Sequence, residues 1–274
     1  MNIGTVIGFV FGLFILFLSI LFAVEFEFGR FLLFGSIESL LIVLGMTVAA
    51  TLIAYPFQDV KKVFDDFKKA FAEDESPVEQ YISGLATISN TYARGGDTKL
   101  SSLANEYADN QFIKEGLEYI ELRYTEALIK SIMSSQIQNE HQRLLSQVQI
   151  IKNMSANAPA FGVVGTLIGL VVMMSGLDPS DTEKLMQGLG SGMATALLTT
   201  FYGVLSSNFI FSPIATKIEK RIEDQILMMR VCMEGIILVL KKTPENMVRD
   251  QLKVYLPVQW ASISSNNAQQ MTES

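Results

Sequence analysis

Charge is the first thing this sequence has little of. Only 18% of its 274 residues are Asp, Glu, Lys or Arg, against 49% that are hydrophobic. The shortage is concentrated: Met1–Val24, Asn153–Leu177 and Leu185–Thr216 carry no charged side chain, and Phe31–Tyr55 carries only Glu38. About 20 apolar residues in a helix span the hydrocarbon core of a bilayer, so these absences predict four transmembrane helices. Cysteine occurs once, as Cys232, and histidine once, as His141. A single thiol excludes a disulfide framework and a cysteine-based metal site, and His141 reads as a solvated residue of a polar helix. Ser-His-Asp sets, paired catalytic carboxylates and metal-ligand spacings are missing from the charged parts, so nothing points to an enzyme, a cofactor or a resident metal. The net charge of −7 is spread evenly, with no basic patch interleaved with aromatics, which argues against nucleic acid as a partner. Gly188–Gly192 imitates a phosphate loop only in outline, since no strand precedes it and no Lys-Ser or Lys-Thr completes it.

The charges that are present set the topology. Residues 61–152 and 217–253 hold every Lys and Arg except Arg30 and Lys184. The positive-inside rule puts both segments, and both termini, in the cytoplasm. The N-terminal run lacks a basic flank and a small-x-small cleavage site, so it reads as a span rather than a leader. The expected fold is an all-α membrane protein with a large cytoplasmic helical insertion between the second and third spans and a cytoplasmic helical tail. In residues, 1–55 is a first hairpin (spans about 2–24 and 31–55) and 56–152 the cytoplasmic domain. A second hairpin is 153–213 (spans about 155–177 and 187–212), the helical tail is 214–261, and 262–274 is a polar, disordered end. Within the insertion the patterning predicts helices near Asp59–Ala72, Val78–Arg94, Lys99–Asp109 and Gln111–Lys152, the last continuous with the third span. Beyond Pro213, apolar residues from Ile214 to Leu240 recur every three or four positions, which predicts a long helix. Thr243-Pro244 ends it, and a short helix follows near 245–255.

Small residues line the third and fourth spans: Gly162, Gly165 and Gly169 in one, Gly188, Gly192, Ala196 and Gly203 in the other. At this spacing they let helix backbones approach closely in a membrane. Beside them stand Thr166, Thr195, Thr199 and Thr200. A membrane-helix threonine commonly bonds its own backbone one turn back, yet its oxygen is also what a hard cation needs as it sheds water. Both readings stay open, and the second makes these residues an ion path. Neither span contains Asp, Glu, Lys, Arg or His, although ion relays through membranes use a buried ionisable group. If ions cross here, a partner supplies the carboxylate, because Glu38 is placed to snorkel toward water. Pro159 and Pro213 serve either as helix punctuation or as hinges. A small transporter binding solute through the threonines is the reading from another class.

Ala158–Leu170, Met193–Gly203 and Asn208–Ala215, with support from Ser39–Gly45, Phe112–Leu117 and Met233–Ile236, resemble the MotA/PomA family of flagellar stator A subunits, within the MotA/TolQ/ExbB proton-channel superfamily. The resemblance implies a stator in the bacterial inner membrane, with a ring of A subunits, thought to be five, around the paired transmembrane helices of two MotB- or PomB-type subunits. Each such helix brings the ion-binding aspartate, and ion passage turns a ring whose cytoplasmic domain engages the rotor protein FliG. Thr166 and Thr200 match the threonines of sodium-type members, which favours Na+ over H+ as the transported ion. Pro159 and Pro213 match the family's prolines. Arg94 matches the arginine of its rotor-contact segment, with Lys99 nearby and Glu106 or Glu115 as the acidic counterpart. The chain departs from the pattern at Gly95 in place of a lysine, at Ala156 where sodium-type members can carry an Asp, and at Met46 within the usual Gly-Gly. An ExbB/TolQ-like or other stator-type motor driving a different machine is the alternative.

Overall fold

The structure, a computed structural model, describes residues 3–70, 78–95, 110–176 and 182–255. Every regular element among them is a helix. The chain divides into two compact units, Met1–Asp74 with Leu145–Lys220 and Glu75–Leu144 with Arg221–Ser274.

The first unit opens with α1 (Ile3–Ala23), which ends at Glu25 and Phe26, both with positive φ (54° and 63°). Residues 28–54 form a broken helix: α2 (Phe28–Phe31), a 3-10 turn (Leu32–Phe34), α3 (Ile37–Leu40), a π turn (Leu41–Gly45) and α4 (Met46–Ala54). Ser36 caps α3 by accepting from the Ser39 amide, which marks the break within this stretch. Tyr55 is extended (φ −133°, ψ 148°), as a residue before proline tends to be. The amphipathic α5 (Phe57–Ala70) follows, with Val60 and Val63 buried.

The rest of this unit comes from α8 (Glu126–Ser175), α9 (Thr182–Leu205), a π segment (Ser206–Phe211) and the start of α10 (Ser212–Leu240). Val6–Ala23, Gly29–Ala54 and part of Glu126–Ser175 are long and apolar enough to cross a membrane. Large apolar side chains such as Ile37 and Ile53, 75% and 88% exposed, suit lipid and would be costly in water. These features mark an all-α membrane protein. α9 is not among the three, although its 24 residues measure roughly 36 Å. Four glycines, a serine and four threonines dilute its apolar character, so the expected fourth span is not identified by apolarity alone.

The second unit holds α6 (Val78–Gly95), α7 (Gln111–Glu121), residues 126–144 of α8, residues 221–240 of α10, and α11 (Glu245–Lys253). Leu85, Ile88, Ile113, Leu117, Ile129, Met133, Ile236 and Leu252 are its buried core. Gly116 and Gly235 admit close approach, since a Cβ there would lie 2.9 Å from Ile236 Cγ1 and 2.5 Å from Leu85 Cδ1. Ser89 Oγ donates to Thr243 O (2.7 Å) and Asn90 Nδ2 to Glu245 Oε2 (3.0 Å), tying α6 to the start of α11.

One expectation is corrected here. The single helix predicted over Gln111–Lys152 is two, parted at residues 122–125 where Arg123 takes φ 57°. Thr125 Oγ1 accepts from the Leu128 amide at 3.4 Å, and Tyr119 stacks on Tyr124, so a cap and a ring pair outweigh the helical patterning. The helix expected at Lys99–Asp109 and the end 262–274 lie outside the described residues.

Candidate functional site

Small residues at spacings of three and four put one narrow stripe on α8 and another on α9, and the two stripes meet. A Cβ on Gly169 would lie 2.7 Å from Ala196 N and 2.7 Å from Gly192 O. One on Gly192 would lie 2.5 Å from Met173 Cβ, and one on Gly165 2.5 Å from Thr199 Cβ. Gly162 abuts Thr199 O and Thr200 Cα, Gly203 abuts Ala158 O and Pro159 Cα, and Gly188 abuts Gly176. The contacts advance along α9 as they retreat along α8, which is an antiparallel seam of backbone against backbone. All six residues read from the sequence as helix-packing positions, namely Gly162, Gly165, Gly169, Gly192, Ala196 and Gly203, lie in it.

The four threonines do not share one environment. Thr199 is fully buried in the seam, donating to Thr195 O and Ala196 O, both at 3.0 Å. Thr195 donates to Ser191 O (3.1 Å) and Thr166 to Val163 O (2.7 Å). Thr200 is exposed and its bond to Ala196 O is long, 3.5 Å. It stands on the outward stripe of α9 with Met193, Leu197 and Val204, which are also exposed. Every one of these hydroxyls thus reaches a backbone carbonyl, and Thr200 holds its carbonyl most loosely. A hydroxyl oxygen that donates its proton keeps its lone pairs, so backbone bonding leaves a cation ligand available.

Pro159 lies within α8, which continues through it, and Pro213 is the second residue of α10, which runs on directly from the π segment. Ser155 and Ser207 meet beside Pro159: Ser207 Oγ donates to Ser155 O (2.7 Å) and Ser155 Oγ to Ser207 O (3.2 Å). Tyr202 OH donates to Phe34 O and accepts from Ser36 N (3.1 Å), bracing the break before α3, and Asn153 Nδ2 donates to Tyr55 OH. The sequence reading missed these polar residues. Ser155 was findable, since it sits four residues before a proline inside a helix, but Tyr202 carries no local signal of its distant partner. Among the described residues of 153–176 and 185–216 there is no Asp, Glu, Lys, Arg or His, and no three His, Cys, Asp or Glu side chains gather as a metal site among the described residues.

Residues 104–231, which contain this seam, match the family model of the MotA/TolQ/ExbB proton channel family. The chain is 34% identical over 223 residues to the uncharacterized protein YtxD of Bacillus subtilis, covering 81% of this chain and 79% of that one. The chain belongs to the MotA/TolQ/ExbB family. To Motility protein A of Bacillus subtilis it is 26% identical, over 80% of this chain and 79% of the relative. In fold it is similar to the flagellar MotAB stator complex from Bacillus subtilis, with a TM-score of 0.76 at 24% identity, over 91% of this chain and 96% of that one.

The positions that the MotA/PomA resemblance assigns to a rotor contact are less complete. Arg94 is exposed near the end of α6, while Lys99 and Glu106 lie outside the described residues. Glu115 on α7 is half-buried and engaged, accepting from Gln111 Nε2 (2.9 Å) and Gln136 Nε2 (2.6 Å). That carboxylate, with burial, raises the Tyr119 hydroxyl above its usual pKa, burial being the larger cause. Glu245 is held below the usual carboxylate range by the Arg249 and Asn90 hydrogen bonds. Burial pushes the Cys232 thiol up to about 12, so it is a packing residue rather than a nucleophile.

Proposed function

We propose that this chain is the A subunit of an ion-driven stator in the bacterial inner membrane. It works with a MotB- or PomB-type single-span partner to form a cation channel that powers flagellar rotation. The observation that carries the reading is the seam itself: close-packed, bearing hydroxyls, and without an Asp, Glu, Lys, Arg or His. A carrier site needs a charge that binds and releases the ion. With none in residues 153–176 or 185–216, an aspartate from the partner completes the path, and Thr166 and Thr200, with Thr195 and Thr199 behind them, offer oxygen ligands beside it. Those hydroxyls favour Na+ over H+, because a proton needs no such shell. About 2.3 kcal/mol per charge for each 100 mV is available to drive rotation. Four spans with both termini in the cytoplasm, a ring of five copies, hinges at Pro159 and Pro213, and a FliG-type rotor partner reached through Arg94, Lys99, Glu106 and Glu115 complete the proposal.

A second reading keeps the motor and changes the machine. Within Bacillus subtilis the chain is 34% identical to YtxD and 26% to Motility protein A, so its likeness is not centred on the relative named for motility. Deleting the gene, and separately co-expressing the chain with a single-span partner bearing an Asp, tests both. Under the flagellar reading the deletion slows swimming, and the pair restores a speed that rises with external sodium at fixed pH. Unchanged swimming in the deletion strain contradicts the flagellar role, and a restored speed indifferent to sodium contradicts the ion.

A further inference from the structure

Pro159 removes a donor from the middle of α8, because a proline has no N–H for the carbonyl four residues back, that of Ser155. Continuing the helix through this point leaves the Ser155 oxygen in need of another hydrogen. It comes from outside the helix: Ser207 Oγ donates to Ser155 O at 2.7 Å. The exchange is reciprocal, since Ser155 Oγ donates to Ser207 O at 3.2 Å and the two hydroxyls are 3.0 Å apart.

Ser207 is 7% exposed and belongs to the π segment Ser206–Phe211, whose extra residue per turn buries two consecutive serines. Its carbonyl also accepts from the Ser212 amide, five residues on, the bond that marks a π turn. One helical turn earlier, Gly203 lets the α9 backbone touch Ala158 and Pro159 directly. Glycine against glycine carries no direction and tolerates sliding, whereas a reciprocal hydrogen-bonded pair holds only at one register.

We propose that Ser207 and Ser155 are positioning residues: the neighbouring helix supplies the hydrogen bond that Pro159 takes from α8, and the pair thereby fixes the register of the two helices that carry Thr166 and Thr200. Neither serine touches the ion. The functional half rests on the stator reading of the previous section, and the structural half does not.

The test is a double-mutant cycle on the full chain, purified in detergent. Ser207→Ala lowers the thermal midpoint by about 2–4 °C when Pro159 is present. In a Pro159→Ala background, where residue 159 again has an N–H for Ser155, the same change has no effect. Equal losses in both backgrounds overturn the proposal. If Ser207→Ala does not accumulate, the double variant decides, since recovery of accumulation supports the pairing and continued failure overturns it. In cells, Ser207→Ala raises the sodium concentration for half-maximal speed several-fold at unchanged membrane abundance, and Ser207→Thr restores it. A fall in abundance and top speed with the sodium midpoint unmoved overturns the positioning role. The detergent cycle is read whether or not the chain drives swimming, so failure of the stator reading stays separate from failure of this one.

Discussion

Thr199 and Thr200 are neighbours in sequence with opposite circumstances. Thr199 is sealed in the seam with two carbonyls for partners, while Thr200 is exposed on the outward stripe with one distant partner. Thr200→Val therefore leaves the thermal midpoint unchanged and removes sodium-dependent swimming. Thr199→Val keeps its shape in the seam, and because the carbonyls it serves already have helical donors, it costs about 1 kcal/mol or less in thermal or denaturant unfolding. Outside the membrane, Glu245 gives a pH test. Its folded pKa lies below the ordinary value near 4.3, so its stabilising contribution is present above that value and is lost as pH falls through the folded pKa. Glu245→Gln should lower the thermal midpoint at pH 7, and the difference from the parent should close only as pH falls through the depressed folded pKa of Glu245. Cys232, with its thiol near 12, should resist maleimide at pH 8 while folded and label once unfolded.

Elements show where glycine is required and where it is incidental. A methyl on Gly169 meets backbone atoms of Gly192 and Ala196 at 2.7 Å, and backbone cannot swing aside as a side-chain tip can. Gly169→Ala should cost about 1–3 kcal/mol by thermal unfolding and stop motor function. Gly190, on the same helix as Gly192, has open space for 4 Å around the position a methyl would take, so Gly190→Ala should be tolerated or stabilising by up to about 1 kcal/mol. The seam was legible because membrane helices that touch must be small at intervals of three and four, and that periodicity is written in the residues. The two π turns were not, since a single extra residue leaves apolar patterning intact. Nor was the break after Glu121, where Arg123 takes a left-handed φ without any glycine to announce it. Ser155 and Ser207 escaped because their partnership joins residues 52 apart in the chain.

At the scale of the whole molecule, the informative features are what the helices withhold and what they expose. Residues 153–177 and 185–216 carry hydroxyls and small residues and hold no Asp, Glu, Lys, Arg or His. Val163, Leu167, Leu170, Val171 and Met174 lie exposed on α8, together with the outward stripe of α9. In a lone subunit lipid would cover these faces; in the proposed ring, sister subunits and partner helices cover part of them. The composition made the membrane class and the missing carboxylate readable. The same composition marks α9 less clearly as a span, because the glycines and hydroxyls that serve the seam dilute its apolar content. Ion flux into proteoliposomes shows whether the helices of this chain need a borrowed carboxylate. The chain alone should pass no sodium or protons, the chain with an Asp-bearing single-span partner should conduct, and replacing that Asp by Asn should silence it. Conduction by the chain without a partner would contradict the account.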